Sequence, residues 1–276
     1  MDYIKEFDKV FREYKKYTFA TNLQEELELV YKYVNYSNRL EGNKLNLSQT
    51  TALLKDNIII GDKIPFFDIL ETKGLYKATQ FIISSAKNNY PLSERIIKQA
   101  NYLTLSNVWN DDSNYYSSYK LAKQELGEYK VKQNKIVWNI NDKSGEIIPA
   151  STPENAKENC IKFIDKFNNS KAHIIEKIAY LVSEIYINQL FVDANKRTAR
   201  LMTSFVSIKE GLPFTAFDNQ PKDTNFNHVL ITSYLEGNKN IIEEFIAKVF
   251  MTEMSSKMEK ENKLKTQKPK NMGFMI

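Results

Sequence analysis

Two helical stripes meet at a short polar junction, and this limits the fold more than any other feature of the chain. Ile174, Ile178, Leu181, Val182 and Ile185 recur at spacings of three and four, which is the apolar face of a helix. Leu201, Phe205 and Ile208 form a second stripe that stops at Gly211, with Pro213 just beyond, a helix exit. Between them runs QLFVDANKRTAR, Gln189 to Arg200. Asn195 stands where a helix cap is favoured, and the first-turn N–H groups of a helix bind anions. Lys196, Arg197 and Arg200 add positive charge, and the two arginines, three apart, share a face. Asp193 beside them suits Mg²⁺, which takes one or two carboxylates together with phosphate oxygens. Residue chemistry therefore marks a candidate polyphosphate–magnesium site. The same residues also suit a capped helix with a solvated basic first turn.

The rest of the chain reads as helical too. Only 8 Gly and 7 Pro occur in 276 residues, too few turn formers for a sandwich or barrel. The expected fold class is all-α, with one β-hairpin. Phe7, Val10, Phe11 and Tyr14 form one stripe, and Leu23, Leu27, Val30, Tyr31 and Val34 another, both expected to face a core. Further helices are predicted from Leu47 with Asn46 or Ser48 near its cap, over Phe67–Ala86, from Ser93 to about Trp109, and from Thr152 to about Phe167. The last of these has Thr152 as N-cap and Pro153 at the first helical position. A polar loop is expected at Asn110–Asn114. Leu126 to Pro149 changes character: β-formers mix with turn clusters at Gln133-Asn134 and Asp142–Gly145, which reads as a hairpin. Helices follow at Phe226–Tyr234 and Ile241–Met254, and a Lys-rich tail over 254–276 is expected to lack regular structure.

Composition excludes several function classes. One cysteine, Cys160, rules out an intramolecular disulfide and a cysteine metal cluster, and two histidines, His173 and His228, argue against a histidine-rich metal site. The net charge of +5 resides mostly in the tail, where six Lys face two Glu, while the body is nearly neutral. That is not the electrostatic footprint of a nucleic-acid-binding domain, and nothing argues strongly for a membrane. No signal-peptide core opens the chain, so the expected location is cytoplasmic.

Ser37 to Asn43, SNRLEGN, carries a glutamate at a helix end. A carboxylate there is mildly unfavourable with the helix dipole, so Glu41 either has a cation partner or is a solvated surface residue.

QLFVDANKRTAR resembles the active-site motif of the Fic (Fic/Doc) family, HxFx[D/E][G/A]N[G/K]RxxR. Phe191, Asp193, Ala194, Asn195, Lys196, Arg197 and Arg200 match it. Leu126 to Pro153, with GEYK at Gly127–Lys130, is similar to the family's flap, and SNRLEGN to the inhibitory motif [S/T]xxxE[G/N] of the subclass whose brake precedes the core. The resemblance implies a Fic-fold helical bundle with N-terminal helices and brake in residues 1–60, a core over 61–253 with its flap near 126–150, and the tail beyond. It also implies AMP transfer from ATP to a hydroxyl of another protein, docked on the flap by strand addition.

In that scheme Asp193 holds Mg²⁺, and Ala194, Asn195 and Lys196 form an anion nest. Asn195 and Arg197 contact the α- and β-phosphates, Arg200 the γ-phosphate, and Phe191 anchors the loop. Ser37, Glu41 and Gly42 form the brake, with Glu41 on Arg200. ATP, Mg²⁺ and a target protein are the expected partners, and a second copy of the chain is a further candidate. One position departs from the motif: its histidine, the family's general base, is Gln189, and a carboxamide is not basic at neutral pH. The expectation is an autoinhibited adenylyltransferase that binds Mg-ATP and transfers AMP slowly or not at all. The alternatives are a catalytically dead Fic-fold binding module and AMP removal that uses Glu41.

Overall fold

The computed structural model describes residues 2–19, 22–109, 126–140, 143–217 and 225–267. Ten helices and one two-stranded sheet occur among them: α1 (Asp2–Tyr14), α2 (Leu23–Arg39), α3 (Leu47–Asp56), α4 (Phe66–Lys87), α5 (Glu94–Trp109), β1 (Ile136–Ile140), β2 (Lys143–Ile147), α6 (Ala156–Asn169), α7 (Ile174–Asn188), α8 (Asn195–Lys209), α9 (Phe226–Leu235) and α10 (Asn240–Gln267). The fold is all-α with a single hairpin, as the paucity of turn formers implies. The expected loop Asn110–Asn114 lies outside the described residues.

α8 is the centre of the bundle. Its one sequence stripe predicted a single buried face, but α4, α5 and α7 all pack against it, and most of its residues are buried on every side. Its hydroxyls are accommodated by local bonding: Thr203 donates to Ala199 O and Ser207 to Ser204 O. Arg197 and Arg200, on the same helix, are also buried, and buried charges require partners.

α4 and α5 form a close αα-hairpin. At their crossing a Cβ on Gly74 would stand 2.4 Å from the Thr104 carbonyl oxygen. Gly74→Ala improves helix propensity by about 1 kcal/mol, yet overpacking at a rigid backbone contact costs about 1–3 kcal/mol. Net destabilisation is the expected outcome, read as a lower urea midpoint with an unchanged m-value; a raised midpoint would show that the helices can separate freely here.

Several boundaries differ from the sequence expectation, each for a local reason. α6 starts at Ala156, not beside Thr152. Thr152–Asn155 closes a turn of its own, in which Asn155 Oδ1 accepts from Thr152 N and Ala156 N donates to Thr152 O. Asn46 caps α3 with a capping box completed by Gln49. Lys143 to Gly145 belong to β2, antiparallel to β1 with Trp138 opposite Gly145, so no turn lies there. Leu23 and Leu27 stay exposed, and the α2 face becomes core only from Val30 onward.

The Lys-rich tail is helical to Gln267 and does not lose regular structure at Ser255. Met254 is fully buried, Lys260 pairs with Glu25 at 2.5 Å, Asn262 donates to the Tyr17 hydroxyl, and Lys263 pairs with Glu259 four residues back. Spacing of i,i+4 ion pairs and a neighbouring surface to lie on sustain a helix that composition alone argues against. Residues 268–276 lie outside the described part. Among the described residues no helix is long and apolar enough to cross a membrane.

Candidate nucleotide-phosphate site

The junction between α7 and α8 is held in place by its own polar side chains. α7 ends on Gln189, whose backbone is left-handed (φ 45°, ψ 59°), and Ala194 is left-handed as well (φ 59°) before the chain turns into α8. The N-cap is therefore Ala194, not Asn195. The Asn195 carboxamide turns back instead: it accepts from Phe191 N at 2.9 Å and donates to Phe191 O at 2.7 Å. Phe191 itself is fully buried and stacks on Tyr129. These bonds present the backbone of Ala194 to Lys196 as an αL–αR concavity at a helix N-terminus, an anion-binding shape.

Three residues outside the motif brace this loop from afar, and of these Asn101 is marked by no sequence pattern. Asn101 on α5 donates to Asp193 O at 2.9 Å and accepts from Gly127 N. Asn134, below the hairpin, donates to Phe191 O at 3.0 Å. Lys130 is buried beneath the end of α7, where its ammonium donates to Asn188 O and Asn134 Oδ1 and its backbone N–H to Leu190 O. Burial pulls that ammonium down to about 8, while the α7 C-terminal carbonyls favour its charge. Ala150 N donates to Ile187 O, so both ends of the hairpin are fastened to the α7 terminus and the junction. Val137 and Ile148 on the hairpin remain solvent-exposed.

Each basic residue of the junction has an acidic partner. Arg200, fully buried, donates from Nη2 to Glu41 Oε1 at 2.9 Å and to Ser37 O at 2.9 Å, from Nε to Ser37 Oγ at 2.8 Å, and from Nη1 to Asn227 Oδ1 at 2.8 Å. Lys196 Nζ reaches Glu41 Oε2 at 3.3 Å. Arg197 Nη1 donates to Glu71 Oε1 on α4 at 2.6 Å, and its Nη2 lies 3.9 Å from Asp193 Oδ2. Burial by itself would raise the Glu41 carboxyl, but the charges of Arg200, Lys196 and Arg197 and the Arg200 hydrogen bond outweigh it and bring it down to about 2. Glu41 thus has its cation partners and is not a solvated surface residue. Gly42 follows it with φ +97°, a conformation that L side chains rarely adopt.

A cleft of about 490 Å³ opens here, lined by Glu41, Asn43, Asp68, Glu71, Asp193 and Arg197 among others. The structure thus brings together the sequence-marked residues Ser37, Glu41, Gly42, Asp193, Ala194, Asn195, Lys196, Arg197 and Arg200. Gln189 is buried at the end of α7, its amide nitrogen donating to Tyr186 O at 2.6 Å. The two histidines serve elsewhere: His173 caps α7 and meets Asp8 at 3.0 Å, and His228 sits in the first turn of α9. Among the described residues no group of three His, Cys, Asp or Glu side chains is arranged to hold a metal. Asp193, 45% exposed on the cleft, fits the other arrangement, in which Mg²⁺ takes one protein carboxylate and completes its shell from phosphates and water.

Similarity to known proteins agrees with this geometry. A curated relative, the protein adenylyltransferase fic-1 of Caenorhabditis briggsae, is 25% identical over 191 residues, 67% of this chain; the alignment spans only 33% of the relative's length. Among solved structures, residues 134–508 of Fic-1 from C. elegans superpose with a TM-score of 0.72 at 19% identity, covering 94% of this chain and 71% of that one. A Fic domain containing signaling protein from Bacteroides thetaiotaomicron VPI-5482 superposes with a TM-score of 0.71 at 21% identity, covering 95% and 98%. Residues 91–207, from the start of α5 through the hairpin to the end of α8, match the Fic/DOC family. Residues 91–207 of this chain are therefore a Fic/DOC family domain.

Proposed function

We propose that the chain is a Fic-type protein adenylyltransferase whose phosphate site is held shut by Glu41, and whose AMP transfer is impaired by Gln189 while Mg-ATP binding is retained. The Arg200–Glu41 pair carries the reading. A fully buried arginine at the mouth of an anion-binding helix terminus is matched by a carboxylate from outside the motif, and a γ-phosphate would bring the same charge to the same guanidinium. The relative's name, a protein adenylyltransferase, supports the reaction class.

In this reading a hydroxyl of a target protein attacks the α-phosphorus, the bond to the β-phosphate breaks, and pyrophosphate leaves. Arg197, Lys196 and the N-terminus of α8 hold the phosphates; Mg²⁺ on Asp193 supplies charge neutralisation when bound. The hydroxyl proton needs an acceptor, and the Gln189 carboxamide is not one. The target segment lies along the hairpin, whose exposed Val137 offers apolar surface for it.

Nucleotide binding is tested apart from chemistry. For the Glu41→Gly variant, Mg-ATP at 100 times its Kd is expected to raise unfolding stability by about 2.7 kcal/mol, with a smaller rise for the unaltered chain at the same concentration. No rise in either overturns the nucleotide site and leaves a Fic-fold module that binds a partner peptide without nucleotide.

A further inference from the structure

Arg197 and Arg200 each meet a carboxylate, but the two carboxylates are built differently. Glu41 lies in the turn after α2, beside Gly42, and its side chain is 17% exposed. It can swing away without disturbing a helix. Glu71 lies in the second turn of the 22-residue α4, which packs against α2, α5 and α8. Its side chain is 8% exposed and bonds Arg197 at 2.6 Å. Its other oxygen accepts from Asn43 Nδ2 at 3.3 Å, and the same amide donates to Asp68 O at 3.0 Å. Lys44 N donates to Asp68 Oδ2 at 2.7 Å. A carboxylate fixed this way cannot yield its place to a phosphate unless α4 unpacks.

We propose that Glu71 is a positioning residue for the nucleotide phosphates, which rests on the nucleotide-site reading above. It grips Arg197 at Nη1 from one wall of the cleft, which leaves the Nη2 end beside Asp193, where phosphate and Mg²⁺ would meet. Through Asn43 it also anchors the segment that follows the brake, which confines the movement of Glu41 to the Gly42 turn. Arg197 and the brake are thus referred to one fixed point on α4. The motif alone does not supply this, because it specifies the arginine but nothing that aims it.

The test is calorimetric titration of Mg-ATP into the Glu41→Gly chain and into the same chain carrying Glu71→Asp or Glu71→Ala. Glu71→Asp keeps the charge and withdraws the carboxylate by one methylene, so it retains the buried counter-ion where Glu71→Ala fails to fold. The expected result is a Kd raised about tenfold or more in both variants, the size of one lost charge-assisted hydrogen bond. In the Gln189→His form, KM for Mg-ATP rises with kcat held. A lower Tm with unchanged Kd assigns Glu71 to fold support alone and overturns the proposal. A tighter Kd makes it a second brake and overturns it too. A parent that binds no Mg-ATP overturns the nucleotide site and this inference together, whereas a parent that binds as tightly as its variants overturns this inference alone.

Discussion

Gln189→His is expected to raise the rate of AMP transfer about 10²–10⁴-fold, the usual contribution of a positioned general base. The backbone already suits the change. Gln189 closes α7 in the left-handed region, where histidine is better tolerated than most side chains. The surrounding loop is fixed by bonds that do not involve this side chain: Asn195 to Phe191, Asn101 to Asp193 and Lys130 to Leu190. An imidazole would therefore enter a loop that is already fixed, with the proposed phosphate-binding residues in place. The proposed brake acts independently of the base, so the fold-gain should be similar with and without Glu41→Gly, and the absolute rate highest with it. Transfer from ATP labelled on its α-phosphate, with a cell lysate supplying targets, measures it. If the unaltered chain labels protein as fast as the Gln189→His form, no base is required at this position and the proposed impairment is wrong.

Glu41→Gln is expected to destabilise the chain by about 3 kcal/mol at neutral pH while opening the phosphate site. The folded-state carboxyl lies at about 2 against an ordinary value of 4.5, and about two and a half pH units of preference for the charged form correspond to roughly 3 kcal/mol. Because the folded value is the lower one, this stability is fully present above pH 4.5. It is lost as the pH falls from there towards 2. Breaking a buried pair typically costs about 3–5 kcal/mol; the low end applies because Arg200 keeps Ser37 and Asn227. Urea unfolding of both proteins at pH 7 and pH 3 tests it. The gap should narrow at the lower pH, and an equal gap at both would mean that charge is not what Glu41 contributes. A stabilising contact that also blocks binding, as proposed for Glu41, is the familiar opposition of stability and activity at a site.

Much of the site was legible in the sequence because its parts are local. Asp193, Ala194, Lys196, Arg197 and Arg200 fall within one loop and the next two turns, where spacing fixes which residues share a face. SNRLEGN was legible as a motif, and the helix-end position of Glu41 left a cation partner or a solvated surface place, of which the structure has the first. Local signals also failed locally: Asn195 looked like a cap but bonds back to Phe191, and Thr152 looked like a cap but closes a turn before Ala156. In the first case a neighbouring backbone group competed for the same side chain; in the second the Asn155 carboxamide took the Thr152 N–H.

The chain by itself determined its helical class, the place of the hairpin, the composition of the phosphate loop and the absence of a histidine at its head. These rest on periodicity, turn chemistry and residue identity, all short-range. Only the tertiary structure decided which residues from elsewhere in the chain meet the loop. Glu71 meets Arg197 across 126 positions, Asn101 meets Asp193 across 92, and Ser37 meets Arg200 across 163. The helicity of the tail was decided the same way, by Glu25 and Tyr17 on the surface it crosses. Such pairings depend on which helices pack together, and the periodicity of one helix specifies the face it buries but not the neighbour that covers it.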